Sequence, residues 1–181
     1  MNGKQTIVFI GDSLTEFFDW QERFPACNVF NLGIAGEMVE ELLERMDRIE
    51  LTIVNSGLNA DVIFVMTGAN NIAMEDYEII AGYKEVITAI AASFSKSKLV
   101  IQSILPVSLP WIDNAIIRQL NESLRQMAKS FKAEYLDLYS LFISSGSGPK
   151  REYLLDDGIH VSDKGYEVWS GAVGDFLQLK K

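Results

Sequence analysis

The chain has 181 residues, 48% of them apolar and 23% charged, a composition that fits one domain over 1–181 with a sizeable core. Its formal net charge of -9 repels phosphate backbones and anionic lipid surfaces, so nucleic acid and membrane are not expected partners. With one histidine and one cysteine, the chain lacks the ligand clusters of a metal centre and cannot close an intrachain disulfide, so neither a metal nor another cofactor is expected.

Residues 7–10 (Ile-Val-Phe-Ile), stopped by Gly11, form the kind of continuous apolar run that makes a buried parallel strand. The run is far shorter than the ~20 residues of a bilayer span and too short for a secretory leader. Because this strand begins almost at Met1, no cleavable leader is expected, and the reading is cytoplasmic. Phe17, Phe18 and Trp20 follow and are read as core aromatics. A second strand is expected over 29–32. Then Met38, Val39, Leu42, Leu43 and Met46 recur at helical spacing, with Glu37, Glu40, Glu41, Glu44 and Arg45 on the opposite side. Further strands are expected over 62–66, 99–104 and 134–138, and further helices over 77–94, 111–131 and 166–179. Residues 144–149, rich in Ser and Gly, read as a surface loop. Five strands alternating with helices of this length argue for βαβ units, with a parallel sheet covered on both faces.

In open α/β sheets, ligands bind beyond the carboxyl ends of the strands. Three such ends here carry small polar turns: Gly11-Asp12-Ser13-Leu14-Thr15, Gly33-Ile34-Ala35-Gly36-Glu37 and Thr67-Gly68-Ala69-Asn70-Asn71. Near the chain end stands Asp156-Asp157-Gly158-Ile159-His160. A serine hydroxyl is a weak nucleophile; a histidine must take its proton, and a carboxylate must hold that histidine in the right tautomer. His160 is the one histidine available, and Asp157 is close enough in a turn to accept its Nδ1 proton. The backbone amides of Ser13 and Gly36 and the side-chain amide of Asn70 are candidate oxyanion donors. Asp12 is read as a cap on the first turn. Each block alone reads as an ordinary turn or helix cap. Their conjunction carries the chemistry.

These four blocks, in this order, resemble the SGNH hydrolases, or GDSL esterase/lipase family, and the resemblance covers most of the chain. It implies a flavodoxin-like three-layer α/β/α sandwich whose five-stranded parallel sheet has the order 2-1-3-4-5. It carries the nucleophile to Ser13, the oxyanion glycine and asparagine to Gly36 and Asn70, and the acid and base to Asp157 and His160. The third block usually reads Gly-Gly-Asn-Asp; here Ala69 adds a methyl and Asn71 removes a charge. The function expected is an esterase acting on small neutral esters through an acyl-enzyme. A thioesterase or lysophospholipase of the same family, and an inactive binding module of the same fold, are the alternatives. Leu105 and Pro106, in the stiff apolar stretch 105–111, are expected to form one wall of an acyl pocket, and Tyr153, with Leu154 and Leu155, the other.

Overall fold

The computed structural model describes residues 4–144 and 148–179. Five strands are present: β1 (Thr6–Gly11), β2 (Asn28–Gly33), β3 (Val62–Met66), β4 (Lys98–Gln102) and β5 (Glu134–Leu136). All pair in parallel, in the order β2-β1-β3-β4-β5. The helices are α1 (Ser13–Glu16), α2 (Trp20–Arg23), α3 (Val39–Glu44), α4 (Met46–Asn55), α5 (Ala69–Ala73), α6 (Ile80–Ser93), α7 (Asn114–Ser130), α8 (Tyr139–Phe142) and α9 (Asp163–Phe176), with a 3₁₀ turn over Arg151–Tyr153.

The apolar runs become strands because the sheet is covered on both faces, so successive side chains, which point to opposite faces, are all buried. On one face Val8, Ile10, Ile63 and Val65 join a cluster with residues of α3, α4, α6 and α7. On the other, Ile7, Phe9, Val62 and Phe64 pack with Leu14, Trp20 and residues of α9. Aromatic rings fill this second layer: Phe9 stacks on Trp20 at 4.0 Å, and Trp20 meets Trp169 edge-on at 5.2 Å. Each fully buried side chain of this size contributes about 1.5–3 kcal/mol over its exposed state.

The structure departs from the sequence reading where burial and strand pairing part company. Residues 103 and 104 stay buried beyond β4 without continuing it as a strand. The Ile104 backbone bonds instead to the Asn121 side chain, its N–H donating to Oδ1 at 2.8 Å and its C=O accepting from Nδ2 at 2.9 Å. β5 likewise stops at Leu136, two residues early. The helix expected over 38–46 is two helices meeting at Arg45, with the second extending to Asn55. Of the three aromatics read as core, Trp20 is fully buried and Phe18 packs against the core, but Phe17 is 60% exposed. Residues 145–147 of the Ser/Gly-rich loop lie outside the described residues. Among the described residues, no helix is long and apolar enough to cross a membrane.

Candidate active site

The sheet order places the ends of β2, β1 and β3 side by side, with Gly11 paired to both Gly33 and Met66. Immediately past β1, Asp12 caps α1 by accepting from the Leu14 amide at 3.0 Å, so Ser13 is the first residue of the helix. The Tyr166 hydroxyl, from α9, donates to the Leu14 carbonyl at 2.8 Å and ties this turn to the far end of the chain.

That far end supplies the histidine. His160 Nε2 lies 3.1 Å from Ser13 Oγ, and His160 Nδ1 lies 2.7 Å from Asp157 Oδ2. Asp157 Oδ1 accepts from the Ile159 and His160 amides, both at 2.9 Å, so the carboxylate is fixed by its own turn. Burial pushes its pKa up, but the Ile159 amide, the His160 ring and the His160 amide outweigh that and hold it below the usual carboxylate value. Asp157 is thus an anion throughout the neutral range. With its proton on Nδ1, the ring presents a lone pair on Nε2 to the serine.

The loops after β2 and β3 meet across from this triad. Gly36 adopts φ +80° and Gly68 φ +103°, left-handed values that favour glycine. Asn70 Nδ2 donates to the Glu37 carbonyl at 2.9 Å, which aims the side chain and leaves its second N–H for another acceptor. Glu37 is itself 5% exposed and held by Arg45, whose Nη2 reaches Glu37 Oε2 at 2.7 Å and the Leu32 carbonyl at 2.7 Å. The loop that carries Gly36 therefore rests on a buried ion pair at the α3–α4 junction.

A family model described as the GDSL-like lipase/acylhydrolase family matches residues 9–168. The chain belongs to that family. This GDSL hydrolase is accordingly a carboxylic ester hydrolase. It is 27% identical to the human platelet-activating factor acetylhydrolase IB subunit alpha1 over 166 residues, covering 88% of this chain and 70% of that one. Among solved structures, a GDSL-like lipase from Bacteroides thetaiotaomicron shares the fold at TM-score 0.77 and 22% identity, over 96% of this chain and 88% of the other. An acetyl-xylooligosaccharide esterase from Geobacillus Stearmophilus shares it at TM-score 0.76 and 15% identity, over 99% and 97%.

Both departures in the third block have physical reasons. The unusual dihedral belongs to Gly68; Ala69 is the first residue of α5 and buries its methyl group without strain. Asn71 is fully buried: its Oδ1 accepts from the Val39 amide at 3.1 Å, and its Nδ2 donates to Glu40 Oε2 at 3.1 Å and Asp76 Oδ2 at 2.8 Å. In this GDSL hydrolase a neutral amide thus pins the start of α3 to the start of α5.

The three residues expected to wall a substrate pocket differ in exposure. Leu105 and Pro106 are buried, Leu105 in the same cluster as Leu14, and Tyr153 is half-buried against Phe142. The physical role of their segment is support: the Ser108 amide donates to the Gly158 carbonyl at 2.7 Å, carrying the Asp157–His160 turn. From the same two stretches, Trp111 and Leu155 are the exposed apolar side chains, at 56% and 48%. A cavity of about 680 Å³, lined by Arg118, Arg125, Tyr135 and Tyr139 among others, lies along α7 and β5 and includes no triad residue.

Asp12 adds a pH dependence. It is 1% exposed, and its Oδ2 has no partner in good hydrogen-bonding geometry. Burial pushes its pKa from 3.8 up to about 7, against the lowering pull of the Leu14 and Ala69 amides. A carboxyl raised in the fold is protonated more readily there than in the unfolded chain. Its favourable contribution is therefore present below about pH 4 and is lost as pH rises towards 7. Asp12→Asn should remove that loss, becoming more stable relative to wild type by on the order of 2 kcal/mol between pH 5 and pH 8. Chemical denaturation at the two pH values measures it; an equal difference at both would show that Asp12 ionises as freely in the fold as in the unfolded chain.

Proposed function

We propose that this protein hydrolyses small neutral esters, with acetyl to butyryl acyl groups, through an acyl-enzyme on Ser13. The observation that carries the reading is the unbroken chain from Ser13 Oγ through His160 to Asp157, at 3.1 and 2.7 Å. As Ser13 Oγ attacks the carbonyl carbon, its proton passes to His160 Nε2, and Asp157 stabilises the imidazolium. The carbonyl oxygen, becoming an anion, takes hydrogen bonds from the Ser13 and Gly36 amides and the free N–H of Asn70. Collapse breaks the bond to the alcohol oxygen, which leaves with the proton from His160. Water, deprotonated by the same nitrogen, then releases the acid and regenerates Ser13.

Short acyl groups are favoured by the burial of Leu105 and Pro106, which leaves neither side chain open to line a deep acyl pocket. The names of the human and Geobacillus relatives both specify acetyl groups. The net charge of -9 disfavours polyanionic thioesters such as acyl-CoA. A small-molecule ester is thus the proposed partner, without metal or nucleic acid, and the free buried Cys27 accords with a cytoplasmic setting.

A fluorophosphonate should modify one site, placed on Ser13 by digestion and mass spectrometry, with Ser13→Ala unlabelled. Among p-nitrophenyl esters, kcat/KM should peak between acetate and butyrate. A label on another serine, or activity rising steadily to palmitate, would overturn the reading.

A further inference from the structure

Nine large apolar side chains are exposed among the described residues: Phe17, Ile34, Leu51, Val54, Leu58, Met74, Trp111, Leu141 and Leu155. Scattered single exposures need no explanation, but five of these are tied by hydrogen bonds or stacking to the elements that carry the candidate site. The Phe17 ring stacks on the His160 ring with centroids 5.5 Å apart, and its amide donates to the Ser13 carbonyl at 3.0 Å. The Leu155 amide donates to the His160 carbonyl at 2.7 Å, and the Ile34 amide to the Gly11 carbonyl at 3.0 Å. The Met74 amide donates to the Asn70 carbonyl at 3.2 Å, and Trp111 Nε1 reaches the carbonyl of neighbouring Ala73 at 3.5 Å. Phe17, Ile34, Met74, Trp111 and Leu155 therefore come from the loops and turns around the triad, each leaving an apolar surface in water.

From this rim we infer the alcohol half of the substrate: an uncharged aromatic or extended apolar alcohol, seated on Phe17 and Leu155 beside His160. The inference rests on the esterase reading above and refines it. Direction follows from the mechanism: His160 must deliver its proton to the alcohol oxygen, so the leaving group lies on the His160 side of the scissile bond. Phe17 is the exposed apolar group stacked on the ring of that histidine, and Leu155 is joined to the same residue through the backbone. Ile34, Met74 and Trp111 are tied instead to the elements that carry Gly11, Asn70 and Ala73. Charge agrees with the assignment. Glu16 on α1, Glu75 next to Met74 and Asp156 next to Leu155 are carboxylates along the rim, with Arg151 answering Asp156 at 3.6 Å. An anionic alcohol is disfavoured there, and a sugar would find few hydrogen-bonding side chains among the five.

The test compares three acetates: ethyl acetate, 4-phenylbutyl acetate and acetylated xylobiose. Both simple alcohols are primary, so their leaving-group chemistry is matched and the kcat/KM ratio isolates contact with the alcohol. Wild type should prefer 4-phenylbutyl over ethyl acetate by at least about tenfold, and Phe17→Ala should shrink that ratio about tenfold, with Leu155→Ser acting in the same direction. Phe17→Trp should restore it. A ratio unchanged in Phe17→Ala, even with both rates lowered together, would make Phe17 a support for His160 and overturn the inference. So would xylobiose acetate as the best of the three. A second arm does not depend on hydrolysis: saturation-transfer NMR should detect 4-phenylbutanol on Ser13→Ala and lose it in Ser13→Ala/Phe17→Ala. Alcohol binding that survives loss of Phe17 overturns this inference alone. Absent ester hydrolysis with alcohol binding retained overturns the esterase reading and leaves the rim as a binding surface.

Discussion

His160→Ala is expected to lower turnover about 10³- to 10⁶-fold while the protein stays folded. The size of the effect follows from two facts. His160 is the only histidine in the chain, and its Nε2, at 3.1 Å from Ser13 Oγ, is the proposed general base. Its ring is partly exposed and outside the two buried clusters, so removal should cost little stability, which thermal unfolding checks. Asp157→Asn should cost a similar or smaller factor, because the base remains but its tautomer is no longer fixed by a carboxylate. A folded His160→Ala protein that keeps more than a tenth of wild-type turnover would sink the triad.

The second large effect is expected at Asn70. Its anchored amide holds one N–H on the Glu37 carbonyl at 2.9 Å and has one left, which in the proposed mechanism is a preorganised donor that matters chiefly once the oxygen becomes an anion. Asn70→Ala should therefore lower kcat by roughly 10² to 10³ with little change in KM. The opposite split, a large rise in KM at unchanged kcat, would make Asn70 a residue that orients the ground-state ester.

The site was largely readable before the structure because its parts are punctuation: Gly11, Gly36 and Gly68 end apolar runs or turn the chain, and the polar residues beside them have little other work in a buried sheet. The order of strands came from family resemblance rather than from residue patterns. What stayed illegible is the sense of an apolar residue outside a regular element. Leu105 and Phe17 look alike in sequence, yet one is sealed in the core and the other stands in water against the histidine ring. Periodicity sorts faces of helices and strands and says nothing about a loop. The break at Arg45 was hidden for a related reason: the apolar spacing runs through it, while the bend accompanies an ion pair to Glu37 that spacing does not reveal.

Asn71 turns a local departure from the family pattern into a rule about neighbours. Its amide faces Glu40 and Asp76 at once, donating a proton to each. An aspartate there would set a buried carboxylate against the solvent-exposed carboxylates of Glu40 and Asp76, and it would give up both donations. The three positions are therefore a single electrostatic unit, in which the charge of residue 71 is set by the acids already around it. An aspartate at position 71 is better matched where one of the other two positions is neutral or basic. Transplanting the commoner motif into this chain one residue at a time would keep an acceptor for the Val39 amide but lose the donations to Glu40 and Asp76, loosening the join between α3 and α5 beside the loops that carry Gly36 and Asn70.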